Sequence, residues 1–353
     1  MKIIWQGFFD GNTGYINASK IYPLATKMAG YDVGVIPMRE LSKDNPLSKL
    51  VVTKREPDHF VILHQVPNMV KTEGYFTVTE FDVPPPEWWI NLSESDIIMT
   101  QSKFCKQSMC SIPGIDPDKI HIVYAPVDKK MSPLGPKMVL KRKTKFIFGT
   151  SFTWVDRKVP QLMWQAFREE FPIEEYPDVV FVNKIIAPPN FVNWKWIFNT
   201  QKQDPRIVLK SEYFNDMGTF YRGLDCYVSA TAGEGFGLTL AEAMACGIPT
   251  IGSKHSGNLE FMNDDNSWLC DVEDWSYLGN WKRLNPIYLN HDYMSWKLPN
   301  VESIKEQMRK VYEGSQIDSR TNNAVDTIKD KCSIQNISLQ MKKALDWLSN
   351  VRE

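Results

Sequence analysis

Glu234 and Glu242 stand with seven residues between them in the run Thr231-Ala232-Gly233-Glu234-Gly235-Phe236-Gly237-Leu238-Thr239-Leu240-Ala241-Glu242-Ala243-Met244-Ala245-Cys246-Gly247. The preceding Asp225–Ala230 reads as a buried strand, and the residues from Leu238 read as a helix that Gly247 closes. A strand, a Gly-rich turn and a helix N-terminus together present unpaired backbone N–H groups and a partial positive charge to an anion. The expected anion is a diphosphate. A carboxylate on the turn can accept hydrogen bonds from sugar hydroxyls, and one on the helix can take both hydroxyls of a ribose. Two solvated glutamates beside a Gly-rich turn would show the same spacing. What separates the two readings is the surrounding sequence G-E-G-F-G-L-T-L-A-E-A-M-A-C-G-I-P-T.

The elements that must position these residues alternate between strand-like and helix-like, the pattern of parallel sheets flanked by helices. Lys2–Phe9 reads as a first strand, Asp10–Gly14 as a turn and Tyr15–Ala29 as a helix that Pro23 should kink or truly begin. Strands are expected at Val33–Met38, Phe60–Val66, Tyr75–Phe81, Asp96–Thr100 and Ile120–Ala125. Pro126–Thr144, rich in Pro, Gly and Lys, reads as a linker. A second series follows at Lys145–Phe152, Val179–Val182, Arg206–Leu209, Asp225–Ala230, Pro249–Ser253 and Ser267–Cys270. The last helix, Ser333–Val351, carries apolar Ile337, Leu339, Met341, Leu345 and Leu348. The expectation is an α/β protein with a Rossmann-like domain at 1–135, a second at 136–332 and a terminal helix at 333–353 that can cross back to the first.

Composition narrows the classes. At 353 residues the chain can bury two cores. A hydrophobic share of 43%, with 24% charged residues, is that of a globular protein. The net charge of -1 supplies no overall field toward nucleic acid or anionic membrane. Six cysteines lack metal-binding or redox spacing and read as reduced thiols. With no long apolar run and no secretory signal, a cytoplasmic location without integral membrane association is expected.

The Thr231–Gly247 segment resembles the donor-site signature of retaining GT-B glycosyltransferases (glycosyl transferases group 1, glycosyltransferase family 4-like). The resemblance extends to Gly7-Phe8-Phe9-Asp10 with Gly14-Tyr15, to Asp96–Phe104, to Gly114–Asp128 and to Phe152–Phe171, where Thr153 replaces an aspartate. It implies the GT-B fold, two Rossmann-like domains facing a central cleft, and transfer from a nucleotide-diphosphate sugar with retention of configuration. No metal and no cofactor beyond that donor is implied. By the same resemblance Glu234 lies beside the donor sugar and Glu242 binds the ribose. Gly235, Phe236 and Gly237 approach the sugar, and Leu238 and Thr239 offer N–H groups to the phosphates. Lys158 falls where the family places a lysine on the phosphates. That fits the chemistry, since a departing diphosphate gains negative charge. The family's arginine near Thr150 and Ser151 is missing, so Arg157 is the candidate for the second phosphate contact, Ser151 stays among the expected donor-binding residues, and Gly14 belongs to the loop expected to face the diphosphate.

Where relatives carry a histidine at the end of an N-terminal strand this chain has Glu80, able to bind a hydroxyl or take the acceptor proton, or else to serve as a salt bridge or cap. His64 is the weaker candidate there. The adjacent aspartates Asp264-Asp265 read as a surface turn rather than a metal site, and the paired Trp88-Trp89, Trp194 and Trp196 as packing as readily as sugar stacking. The acceptor is left open among a glycan, a lipid-linked saccharide and a small molecule. Hydroxylated DNA, contacted through the basic run Lys137, Lys141, Arg142, Lys143 and Lys145, is the disfavoured alternative, and a nucleotide-sugar-binding protein without turnover is another.

Overall fold

The computed structural model describes residues 1–11, 14–67, 70–186, 202–211, 214, 216–275 and 296–353. The chain divides into two compact units, Met1–Val127 with Asp330–Glu353, and Asp128–Lys329. Residues 128–135, expected in the first domain, thus lie with the second. Asp330, Lys331 and Cys332 lie with the first, as does the terminal helix.

The first unit holds one sheet of parallel strands: β1 Lys2–Gly7, β2 Val33–Pro37, β3 His59–His64, β4 Gly74–Phe76, β5 Ile97–Thr100 and β6 Ile120–Ile122, in the order β2-β1-β3-β4-β5-β6. Its centre is apolar on both faces, as a covered parallel sheet requires, and Ile3, Ile4, Trp5, Ile62 and Leu63 are fully buried. The helix Gly14–Met28 continues past Pro23, so the proline neither starts nor ends it. Packing decides this against the lost hydrogen bond: Tyr22 and Ala25 are fully buried, and Trp5 Nε1 donates to Thr26 Oγ1 at 3.0 Å.

The terminal helix Ile334–Arg352 begins at Ser333, whose hydroxyl accepts from the Asn336 N–H. Ile337, Met341, Leu345 and Leu348 form its buried stripe, whereas Leu339 is 67% exposed. Intervals of four, four and three residues keep one helical face inward, and Leu339 falls off it. The helix packs on Gly14–Met28 and β6. Tyr31 Oη donates to Asp346 at 2.7 Å, and Gln340 Oε1 accepts from the Tyr124 N–H at 2.8 Å.

The second unit repeats the plan with β7 Phe146–Thr153, β8 Val179–Ile186, β9 Ile207–Lys210, β10 Cys226–Ser229, β11 Thr250–Ser253 and β12 Trp268–Cys270. The sheet order β12-β11-β10-β7-β8-β9 is that of a dinucleotide-binding fold, with the direction of winding reversed between β7 and β10. Phe148, Trp164, Phe167, Phe181, Val228, Ile251 and Met308 lie in its core. Trp164 Nε1 is satisfied there by Asn183 Oδ1 at 2.8 Å. An antiparallel pair that the strand pattern did not suggest, β13 Val272–Trp275 and β14 Trp296–Pro299, follows β12. Strand ends differ from expectation by at most five residues. The largest differences are at β8, which runs on to Ile186, and β4, which stops at Phe76.

Among the described residues no helix is long and apolar enough to cross a membrane. All six cysteines are free thiols.

Candidate functional site

In an open parallel sheet the loops leaving the C-terminal ends of the strands on either side of a winding reversal diverge and leave a crevice between them. In the second unit those strands are β7 and β10. The loop after β7 carries Arg157 and Lys158, and the loop after β10 carries Glu234. The two loops are joined directly: Lys158 Nζ lies 2.5 Å from Glu234 Oε1, and Arg157 Nη1 lies 3.1 Å from Glu234 Oε2. Arg157 also donates to the Gly233 carbonyl at 2.8 Å, and the Ala232 N–H donates to the Arg157 carbonyl at 2.8 Å. Thr231 Oγ1 completes the carboxylate's shell at 2.9 Å.

The sequence suggests separate contacts from Glu234, Lys158 and Arg157 to a ligand; the structure links the three to one another. Burial would raise the Glu234 carboxyl, but the charges of Lys158 and Arg157 and its hydrogen bonds hold it down at about 2. It is therefore an anion at any ordinary pH.

The backbone around this cluster is held in costly conformations. Val159, next to Lys158, is left-handed at φ 35° and fully buried. For a β-branched residue that costs on the order of 1–3 kcal/mol. Ser256 is also at positive φ, 71°, and its Oγ accepts from the Glu234 N–H at 2.9 Å. The neighbouring Gly257 donates its N–H to the Glu234 carbonyl at 2.9 Å. A Cβ there would lie 2.1 Å from the Gly235 carbonyl oxygen, so only glycine permits this approach. Gly257→Ala is expected to cost roughly 1–3 kcal/mol of stability and to displace the Glu234 loop. Urea unfolding, with the Glu234 amide shift in NMR, checks both.

The helix Leu238–Ala245 starts from Gly237, whose φ of 91° explains the glycine. Its end is a Schellman turn at Gly247, φ 70°, where the Ile248 N–H bonds the Ala243 carbonyl and the Gly247 N–H bonds the Met244 carbonyl. Leu238 and Thr239 stand at the N-terminus, where N–H groups lack partners within the helix. Phe236 is buried against Phe261, with ring centroids 5.0 Å apart, so its side chain belongs to the core.

Glu242 has quite different surroundings. Its carboxylate accepts from Tyr221 Oη at 2.7 Å, and burial raises its pKa to about 7 against the modest lowering by that bond and by Lys184. Two carboxylates on one short segment thus behave oppositely. Ser151, on β7, is tied through Tyr227, whose hydroxyl donates to the Ser151 carbonyl at 3.1 Å.

The remaining sequence candidates belong to the first unit. Gly14 opens the helix that follows β1. Glu80 is half-buried and lies beyond β4 rather than on it, because the strand ends at Phe76. His64 is a core residue: it stacks on Tyr15 at 4.4 Å, meets Tyr22 and Phe76 edge-on, and its Nδ1 lies 2.8 Å from Ser19 Oγ. Burial lowers its pKa to about 3, which keeps the ring neutral. In the basic run, Arg142 donates to the Pro205 carbonyl and Lys145 lies over the Tyr312 ring. Trp88 is buried, Trp89 donates to the Pro84 carbonyl, and Trp194 and Trp196 lie outside the described residues. Asp265 lies in a turn closed by Asn263 and Asn266. Sequence reasoning missed Tyr221, Lys184 and Ser256, which reach the site from elements without any motif of their own.

Two parallel-sheet Rossmann-like units with this topology define the GT-B class of fold. HepE of Anabaena, solved with UDP and glucose, superposes with a TM-score of 0.65 at 13% identity, over 98% of this chain and 100% of that one. Residues 195–280 match the family model described as glycosyl transferases group 1. Over 169 residues, 45% of this chain, the sequence is 30% identical to the UDP-Gal:alpha-D-GlcNAc-diphosphoundecaprenol alpha-1,3-galactosyltransferase of Escherichia coli, of which the match spans 43%. Over 237 residues, 61% of this chain, it is 22% identical to the D-inositol 3-phosphate glycosyltransferase of Stackebrandtia nassauensis, of which it spans 53%. The matches thus span about half of these relatives.

Proposed function

We propose that the protein is a glycosyltransferase that moves a sugar from a nucleotide-diphosphate donor to a hydroxyl acceptor, with retention of configuration and without a metal. The observation that carries this reading is the Lys158–Glu234–Arg157 cluster at the winding reversal, with Glu242 on the helix that begins beside it. A fixed cluster of two cations and one anion suits a sugar joined to a diphosphate. Glu234 accepts from sugar hydroxyls, Lys158 and the amides of Leu238 and Thr239 face developing phosphate charge, and Glu242 takes the ribose. Gly235 and Gly237 keep the turn small enough for the sugar to approach. The bond from the anomeric carbon to the diphosphate oxygen breaks, and the acceptor oxygen bonds on the same face. Its proton passes to the departing diphosphate, so no separate base is needed; Glu80 is retained as the candidate to bind a hydroxyl or take the acceptor proton, and Gly14 as part of the loop that faces the diphosphate. The relatives' own substrates, a UDP-galactose among them, support a nucleotide-sugar donor. A cytoplasmic location is part of the same proposal.

The test begins with thermal unfolding in the presence of a panel of nucleotide sugars. A cognate donor at a hundred times its Kd is expected to add about 2.7 kcal/mol, seen as a clear rise in Tm. Mass spectrometry of products from glycan, lipid-linked and small-molecule acceptors follows. Stabilisation with an intact donor across the panel would indicate binding without turnover. Transfer to hydroxymethylated duplex DNA that weakens with salt would move the acceptor to nucleic acid.

A further inference from the structure

Lys184 lies near the C-terminal end of β8, is 5% exposed, and its ammonium makes no hydrogen bond or ion pair with another described residue. In register it pairs with Ser151 on β7, and Tyr227 on β10 pairs with Gly149, two residues before Ser151. Residues paired across parallel strands share a sheet face, as do alternate residues along a strand. Lys184, Ser151 and Tyr227 therefore point to one side, and Asn183, bonded to Trp164, points to the other. On the side of Lys184 the chain of contacts continues from the Tyr227 ring to the Tyr221 ring, 5.4 Å between centroids, and from Tyr221 Oη to Glu242. The Lys184 and Glu242 charges act on each other, although no ion pair within 4.0 Å joins them.

Resting on the nucleotide-sugar reading above, we infer that Lys184 recognises the donor's ribose, its ammonium donating to the oxygen of a hydroxyl whose proton is donated to Glu242. A hydroxyl is both donor and acceptor, so it can bridge a carboxylate and an ammonium set apart. A buried ammonium needs acceptors that water no longer supplies. Its place at the C-terminal edge of a parallel sheet is where such folds hold ligands. Neither group alone would distinguish a hydroxyl from an ion of suitable charge; together they do.

Calorimetric titration of the whole chain tests this with uridine, guanosine, adenosine and cytidine diphosphates, and with the 2′-deoxy and 3′-deoxy forms of whichever binds. In Lys184→Met the ribonucleotide is expected to bind about tenfold more weakly, and the penalty for removing one of the two hydroxyls to shrink by a similar factor. Lys184→Arg should restore part of both. If Lys184→Met does not unfold cooperatively, Lys184→Gln takes its place. Unchanged penalties for both hydroxyls in the variant overturn the inference. If Glu242→Ala weakens binding while Lys184→Met does not, only the role of Lys184 falls. Glu242→Ala binding like the wild type, or no diphosphate binding at all, overturns the nucleotide reading itself.

Discussion

Lys158→Ala is expected to lower kcat for sugar transfer by roughly 10²–10³-fold at saturating donor, the usual scale for removing a group that meets charge developing in the transition state. The same substitution strips Glu234 of the closer of its two cations, 2.5 Å away and buried with it. Arg157 remains, so the loss of stability should be about 1–3 kcal/mol rather than the full cost of an orphaned buried charge. The sign with pH follows from the depressed carboxyl. Because Glu234 titrates at about 2 in the fold, against an ordinary 4.5, its contribution is present above 4.5 and is lost as pH falls toward 2. In Lys158→Ala acid unfolding should therefore begin at higher pH. Rates measured well below the variant's Tm, beside Lys158→Arg, separate chemistry from folding. Wild-type turnover in Lys158→Ala would leave the lysine as the anchor of Glu234 and nothing more.

Glu242→Ala is expected to weaken nucleotide binding by roughly 1.5–3 kcal/mol, since two ribose hydroxyls lose a charged acceptor. Its effect on stability should run the other way. The Glu242 carboxyl titrates at about 7 in the fold, so the folded state takes up a proton more readily than the unfolded one. The penalty for ionising it is absent below 4.5 and grows as pH rises through 7. Glu242→Gln removes that penalty while retaining a partner for Tyr221. The variant should match the wild type near pH 4 and exceed it by roughly 1–3 kcal/mol near pH 8. Denaturant unfolding at the two pH values gives the answer directly, and nucleotide affinity in the wild type should fall as pH drops below about 7. A flat pH dependence would mean that Glu242 is better solvated than its surroundings imply.

Much of this was legible in the sequence because two signals are local. Strand-and-helix alternation reports which faces are buried, and the Gly-rich segment reports a turn that only small residues permit; Gly237 and Gly247 are both at positive φ. Helix ends are legible where a cap announces them, at Ser333 and Gly247. What escaped is what depends on contact across the sheet. Nothing in the sequence near residue 184 or 221 predicts a neighbour at 242, and Ser256 gains its place only when β11 lies beside β10. That Pro23 does not mark the helix start has a related reason, since helix breaking is a local cost that buried Tyr22 and Ala25 outweigh. Leu339 shows the converse, an apolar residue in a helical sequence that no partner covers. Glu80 stands by resemblance where relatives have a histidine at a strand end, but β4 already stops at Phe76.

The grouping of Asp330–Glu353 with Met1–Val127 has a consequence for how the chain matures during synthesis. The second unit, Asp128–Lys329, is continuous and can complete itself while the chain is still growing. The first unit leaves the ribosome earlier yet lacks the helix that covers Gly14–Met28 until residues 334–352 have emerged. Vectorial folding, which ordinarily favours the N-terminal domain, is thereby inverted. A chain arrested after Lys329 should protect its middle amides from hydrogen exchange while those of Gly14–Met28 exchange freely, and adding the helix as a separate peptide should restore their protection.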